Sequence, residues 1–424
     1  MTARRVLAGL LVALLALGLA GCTEARPLPT ASSAPVSAHA GATAGAPSSA
    51  PGDARASLQR TFAAGAAGDR TAWDAGTAAP DASFAARSDV LFANLRALRP
   101  VRLQVRPTGV EQPLPAARLA ALGPGARVVQ ARVDWRLAGE RADASSLVWL
   151  TLVPGPDGDR LAGTDDGSTL DAPALPLWWL GPVSVRTRGD VTVLAGPGQD
   201  VDRWGDLADR AAADTRNHLP RVLRERWDGR LVVEVPGDET AFTRVLGTAP
   251  SAYATTAAVT RPVGPTTGAA LRVLVNPAIA GDPDAALGTT LTHETVHVAT
   301  RSAVSAAPLW AVEGLAEHVA LRAHPDQRAA ELAALRTGGS ATRLPSDAAF
   351  AAGGKDVTAA YAQAWLVCEA VAGHRGEADL GRLYLALDRG RPLPAAARAT
   401  LDVDDAVVVR WWRGAVRRAA DARG

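Results

Sequence analysis

Two histidines and a glutamate lie close together in the sequence, at His293, Glu294 and His297. Residues four apart on a helix project from the same face, one turn above the other, so both imidazoles can reach one metal ion. Glu294 projects beside such an ion, where it can take a proton from an attacking water and later deliver it to a leaving amine. The spacing predicts a hydrolytic metal site, and a pair of histidines on an ordinary helix is the alternative.

A catalytic zinc ion needs a third protein ligand as well as an open coordination position. Downstream, the sequence reads Leu309-Trp310-Ala311-Val312-Glu313-Gly314-Leu315-Ala316-Glu317. This segment resembles the Trp-x-x-Glu-Gly-x-Ala segment of gluzincins, the zinc metallopeptidases of the peptidase-MA type. The resemblance implies one Zn²⁺ per chain, held by His293, His297 and Glu313. It also implies that Glu317, one turn beyond Glu313, holds a zinc-binding histidine by its other ring nitrogen.

A further segment, from Asp356 to Gly373, resembles the helix that follows the ligand helix in the same enzymes. Its leading tyrosine is Tyr361, and the resemblance implies that this phenol donates a hydrogen bond to the developing oxyanion. A tyrosine of the helix surface or core is the alternative.

Three departures from the family pattern narrow this interpretation. The spacing between His297 and Glu313 is a few residues shorter than in the best-known aminopeptidases, so the loop Arg301–Ala307 must be brief. The exopeptidase motif Gly-x-Met-Glu-Asn is absent, so trimming of amino termini is not supported. The metzincin continuation is absent as well. The resemblance covers about Val183–Gly390.

The start of the sequence has the pattern of an export signal. Two arginines precede the apolar run Val6–Leu19, which is shorter than a membrane-spanning helix requires. The run ends in Leu-Ala-Gly-Cys22, which resembles the lipobox of bacterial lipoproteins. That resemblance implies a signal peptide over residues 1–21 and an acylated Cys22, which anchors the protein to the outer face of the cell membrane. An ordinary signal peptide is the alternative.

Composition and periodicity divide the rest of the chain. Residues 22–52 are rich in Ala, Ser, Pro and Gly and predict a lipidated flexible tether. Residues 53–177 predict helices followed by an antiparallel sheet, an order that resembles the small α+β cone of NTF2-like proteins. Such cones bind a small ligand or a protein partner, or pack on a neighbour. Residues 181–424 predict a mixed sheet followed by a helical half, the order expected of a zincin catalytic domain.

Several local predictions follow from the same patterns. Asp282-Pro283 is a helix start, with Asp282 at the N-cap, and Pro308 opens a second helix. A long amphipathic helix is expected over Asp200–Trp227. Cys368, the only cysteine besides Cys22, lies in an apolar helical run and is expected to be a buried, inert thiol.

The overall prediction is an α+β, extracytoplasmic, membrane-anchored zinc peptidase that hydrolyses polypeptide. The net charge of +2 argues against a nucleic-acid partner. Two alternatives stay open: a non-catalytic zincin-fold binding or scaffold lipoprotein, and a zinc hydrolase of non-peptide amides.

Overall fold

The computed structural model describes residues 51–167, 174–247, 256–265, 268–335, 343–350 and 357–421. The predicted signal peptide, Cys22 and nearly all of the predicted tether lie outside these residues. The described chain forms two compact units. We call them the N-terminal unit, which extends to Ala138 and includes Ser145–Leu175, and the C-terminal unit, which comprises Gly139–Ala144 and the chain from Pro176 onward.

The N-terminal unit places helices before an antiparallel sheet, as its sequence predicts. Within the described residues the strands have the order β1-β2-β3-β4. The elements of this unit are α1 (Pro51–Ala67), α2 (Arg70–Ala75), α3 (Ala82–Leu98), β1 (Arg102–Gln112), α4 (Ala116–Leu122), β2 (Arg127–Arg136), β3 (Ala144–Gly155) and β4 (Gly158–Gly163). Three short elements, α2, α4 and β4, were not predicted from the sequence. The resemblance to NTF2-like proteins stays a prediction.

The C-terminal unit opens with a mixed sheet, whose described strands have the order β5-β6-β7-β9-β8. Strands β6, β7 and β9 run parallel, while β5 and β8 pair antiparallel at the two ends. The elements of this half are α5 (Leu177–Leu180), β5 (Ser184–Arg188), β6 (Val191–Ala195), α6 (Val201–His218), α7 (Arg221–Arg224), β7 (Leu231–Val235), α8 (Glu239–Leu246), β8 (Ala258–Pro262) and β9 (Leu271–Val275).

The remainder of the C-terminal unit is largely helical, so the predicted α+β class is confirmed. Its helices are α9 (Asp284–Thr300), α10 (Leu309–Ala323), α11 (Arg328–Ala334), α12 (Val357–Arg375), α13 (Glu377–Asp388), α14 (Leu393–Leu401) and α15 (Asp405–Asp421). Cys368 is 2% exposed on α12, so the prediction that this thiol is buried is confirmed, and burial raises the pKa of the thiol. None of the described helices is long and apolar enough to cross a membrane.

Two predicted helix boundaries are wrong, and proline explains both. The helix expected to reach Trp227 ends at His218, where Leu219 is extended with ψ 131°. Pro220 disfavours a helical conformation in the residue before it, so the chain restarts as the short α7. At α9 the N-cap is Pro283 rather than Asp282, and it makes no side-chain capping bond. Asp284 supplies the acidic residue of the first turn instead.

The sheet has two differently built faces in this unit. One face packs its apolar side chains against α6 and α9, with Val233, Val273 and Ala258 in the buried cluster. The opposite face carries ions: the fully buried Arg272 on β9 contacts Glu234 on β7 at 2.9 Å and Glu140 at 3.1 Å. Buried charges of this kind are tolerated because each has a partner. The pairing also fixes the segment Gly139–Ala144 to this sheet.

Helices α10 and α12 approach closely at Gly314. A Cβ atom added there would lie 2.3 Å from the carbonyl oxygen of Ala364 and 3.1 Å from Sγ of Cys368. The lack of a side chain at Gly314 is therefore what allows the two helices to pack at this distance.

We expect Gly314→Ala to lower the stability of the chain, because the backbone of α12 must move away. The expected loss is about 1–3 kcal/mol, seen as a fall in Tm of roughly 2–4 °C per kcal/mol. Calorimetry in the presence of a chelator measures this without a contribution from metal. Gly373→Ala on α12 is the control, since its added Cβ meets no atom within 4 Å, and it should match or exceed the wild type. Equal Tm values for the two variants would contradict the packing argument.

Candidate metal centre

The two histidines of α9 and the first glutamate of α10 converge inside the C-terminal unit. Nε2 of His293 lies 3.0 Å from Nε2 of His297. Oε2 of Glu313 lies 3.2 Å from the first of these nitrogens and 3.4 Å from the second. All three residues are buried, and they form the group of potential metal ligands found among the described residues. The chain therefore carries a buried His/His/Glu group consistent with a zincin-like site.

These separations fit one small cation. Ligands at 2.0–2.1 Å from a tetrahedral ion lie about 3.3 Å from one another, close to the three distances observed. Neither carboxylate oxygen of Glu313 accepts a well-directed hydrogen bond from the described residues, although the side chain is wholly buried. A buried carboxylate without a partner costs free energy. A cation between the three atoms supplies that missing partner, so the donor set fits zinc.

Both imidazoles are oriented from behind by a second polar group. Nδ1 of His293 lies 3.1 Å from Oε1 of Glu317, an ion-pair distance without well-directed hydrogen-bond geometry, and Nδ1 of His297 is hydrogen-bonded to Oγ of Ser302 at 2.9 Å. With Nδ1 turned toward these partners, each Nε2 faces the centre of the site, as is usual for metal-binding histidines. Glu317 lies where the sequence predicts. Ser302 was not predicted from the sequence. A metal-binding His297 needs a partner for Nδ1, and that need could have pointed to a nearby hydroxyl.

A left-handed residue brings Ser302 into position. Arg301 ends α9 with φ 54° and ψ 39°, and its N–H donates to the carbonyls of His297 and Val298. This conformation costs a non-glycine residue about 1–2 kcal/mol. It turns the chain back sharply, so the connection to α10 can be as short as predicted and Ser302 can return to the second histidine.

The ligand residues perturb one another electrostatically. Burial opposes ionisation of Glu313, but the adjacent imidazoles of His297 and His293 outweigh it and lower the pKa of Glu313 to about 2. Burial likewise opposes protonation of His293, but the carboxylates of Glu317 and Glu313 raise its pKa well above the ordinary value. A bound divalent cation would replace the proton that these carboxylates favour on His293, because only a neutral imidazole binds a metal ion.

A further buried carboxyl group, that of Glu331 on α11, was not predicted from the sequence. It is 2% exposed, and burial together with the negative charge of Glu317 raises its pKa well above the ordinary value. This shift favours the neutral form of Glu331, so that burial adds less negative charge near Glu317. Nothing in the surrounding run of alanines marks this glutamate as different from one on a solvated helix face.

The remaining predicted residues lie close by. Glu294 is 5% exposed, and its Oε2 accepts a hydrogen bond from Oγ1 of Thr260 on β8 at 2.7 Å. Tyr361 on α12 is 2% exposed. Its ring centroid lies 6.2 Å from that of His293 and 5.4 Å from that of Phe350.

His318 belongs to a different cluster. Its Nδ1 lies 3.1 Å from Glu369 on α12, and its Nε2 lies 3.0 Å from Glu377 on α13. Arg322 and Arg328 also contact these carboxylates. The two nitrogens face different partners, so this histidine is committed to packing α10 against α12 and α13. These contacts support a packing role for His318.

Comparisons with known proteins leave the family of this chain open. No protein-family model matches it, and no curated protein is significantly similar. The geometry of the His/His/Glu group is therefore the basis for assigning a function.

We expect the chain to bind one Zn²⁺ with His293, His297 and Glu313 as its protein ligands. Glu313→Gln should weaken binding at least about 100-fold, because the amide brings no negative charge to the buried site. Glu317→Gln should weaken it about 10- to 100-fold through the orientation of His293. Competition against a chromophoric chelator measures both. Glu239→Gln, an exposed change on α8, is the control, and equal affinity in Glu313→Gln would rule out this ligand set.

We expect His318 to stabilise the fold most strongly at low pH. Burial lowers the pKa of His318, but contacts with Glu369 and Glu377 outweigh this and raise it. Its contribution is thus fully present below the unfolded pKa of about 6.5 and is lost as pH rises through the higher folded value. The Tm difference between wild type and His318→Gln should shrink between pH 6 and 9.

The opposite trend is expected at His324, whose pKa is lowered, chiefly by burial. In His324→Gln, the Tm advantage of the wild type over the variant should fall as pH drops through about 6.5.

For His318, a Tm difference between wild type and His318→Gln that does not vary with pH would contradict its ion pairs with Glu369 and Glu377.

Proposed function

We propose that this chain is a membrane-anchored, extracytoplasmic zinc peptidase of gluzincin type. The observation that carries the proposal is the buried carboxylate of Glu313, which accepts no well-directed hydrogen bond from the described residues and faces Nε2 of both histidines. A structural zinc site is closed by four protein ligands, whereas a hydrolytic one has three and an open position. Three protein ligands beside a buried glutamate, Glu294, match the hydrolytic arrangement.

Glu294 is the proposed general base. When bound, Zn²⁺ supplies Lewis-acid polarisation of the scissile carbonyl and of the attacking water. Glu294 follows His293 directly on α9, so its carboxylate is beside the ligand group and is not one of its members. It accepts the proton of the attacking water and delivers it to the departing amine.

Tyr361 is the proposed oxyanion donor. The aromatic ring of Tyr361 lies beside that of His293 and contacts the ring of Phe350 edge-on. Because the side chain is buried among apolar neighbours, few rotamers are open to it. A fixed hydroxyl stabilises the charge that develops on the substrate oxygen without reorganising during the reaction.

Strand β8 is the proposed support for the polypeptide substrate. Of the two strands that precede α9, β9 lies between β7 and β8, while β8 lies at the end of the described sheet. An edge strand has backbone N–H and C=O groups that can pair with an extended peptide. Thr260 of β8 contacts Glu294, so a peptide on this strand would pass close to the base.

The location and partners rest on the sequence. The lipobox-like segment ending in Cys22 supports lipid anchoring at the outer face of the membrane. We assign polypeptide as the substrate, no nucleic-acid partner, and a ligand-binding or partner-docking role to the N-terminal unit.

We expect Glu294→Gln to retain one zinc per chain and to lose hydrolysis of an unfolded protein by at least about 100-fold. The amide keeps the shape of the side chain but cannot accept the proton. Cleavage of unfolded casein, followed by electrophoresis together with elemental metal analysis, measures both quantities. Glu239→Gln is the control.

Wild-type cleavage rates in Glu294→Gln would remove Glu294 from the mechanism. One zinc per chain without cleavage by the wild type would instead favour the non-catalytic binding or scaffold function.

A further inference from the structure

Thr260 is a buried polar residue in a strand position that faces the core. Alternation along β8 places Thr260 on the same face as Ala258, which packs in the apolar cluster beneath α9. Thr260 is 6% exposed. A buried hydroxyl costs free energy unless it is hydrogen-bonded, so valine would be the simpler residue here.

Among the described residues, the hydroxyl of Thr260 has its hydrogen-bond contacts with Glu294. Oγ1 lies 2.7 Å from Oε2 of Glu294 and 3.0 Å from the backbone oxygen of the same residue. The shorter contact is with an ionisable carboxylate, and a hydrogen bond to a charged group is the stronger kind. The hydroxyl has one proton to donate, and the shorter distance assigns it to the carboxylate of Glu294.

From this geometry we propose that Thr260 is the positioning residue for the general base. It holds Oε2 of Glu294 and leaves Oε1 to accept the proton of the attacking water. Because Thr260 belongs to β8, it also links the position of the base to the strand proposed to align the substrate. This inference rests on the proposed hydrolytic function, but the contact between the two residues can be tested without turnover.

The contact matters because proton transfer depends on placement. A shift of about 1 Å in a reacting group can cost about 100-fold in rate. Without the hydroxyl, the Glu294 carboxylate loses its anchor on the strand, whereas the ligands on α9 and α10 keep their contacts. The change should therefore appear in kcat, with substrate affinity and zinc affinity unaffected.

The test compares Thr260→Val, Thr260→Ser and wild type as zinc-loaded full-length chains. Thr260→Val keeps the shape and removes the donor, so kcat for a fluorogenic peptide should fall about 10- to 100-fold, with KM and zinc affinity within about twofold. Thr260→Ser restores the hydroxyl and should return kcat to within about threefold of wild type. If the valine variant does not fold, Thr260→Ala gives the same comparison.

Thr289→Val is the matched control. Thr289 is 1% exposed on α9, and its hydroxyl bonds within the helix, to the carbonyl of Ala285 at 2.9 Å. Thr289→Val is the same chemical change as Thr260→Val. It is made on the helix that carries Glu294, at a hydroxyl that is bonded to Ala285 instead. Its kcat should equal that of wild type.

Crystal structures of these chains supply the readout that does not need activity. In wild type and Thr260→Ser, Glu294 should occupy one rotamer with Oε2 against the hydroxyl, and in Thr260→Val it should leave that position. An unmoved Glu294 in Thr260→Val, an unchanged kcat, or a serine variant as slow as the valine variant would each overturn the inference. If the wild type cleaves no peptide, the proposed function fails, while the position of Glu294 still decides whether Thr260 holds it.

Discussion

The buried carboxylate of Glu313 is the constraint on which the C-terminal unit depends. Placing an ionised group at 0% exposure is costly unless opposite charge surrounds it. Here the surroundings are two imidazoles on α9, which must therefore lie within ligand distance of α10. The sharp turn at Arg301 serves that requirement, because it returns the chain from α9 to α10 over a short connection. A divalent cation between the three residues would convert this unfavourable burial into a source of stability.

The polar residues around the site form successive layers with separate tasks. Glu317 and Ser302 fix the ring orientation of the two histidines. Glu331 lies beyond Glu317, in a form that adds no charge. The side chain of Thr260 on β8 contacts Glu294 on α9, so the edge strand and this helix are joined at the site. The second charged cluster, around His318, ties the same helix α10 to α12 and α13. Each layer restricts the one inside it, as preorganised sites require.

Several features could be predicted from the sequence because they depend on local spacing. The separation of His293 and His297 by one helical turn forces both rings onto one face, whatever surrounds the helix. The same spacing places Glu317 one helical turn beyond Glu313. Periodicity along residues 53–177 predicted helices before an antiparallel sheet. Helix ends were less certain because proline acts on its neighbours. Pro220 ended α6 early, and Pro283 took the N-cap place expected for Asp282.

By itself, then, the sequence determined the types and helical spacing of the potential metal ligands and the α+β class. The tertiary structure alone decided which distant residues meet them. Thr260, Ser302 and Glu331 look like ordinary strand, loop and helix residues in the sequence. Their importance comes from contacts made across the fold: a strand hydroxyl on a helix carboxylate, and a carboxyl group brought beside another on a different helix. Such contacts depend on how whole elements pack, and no local periodicity encodes that packing.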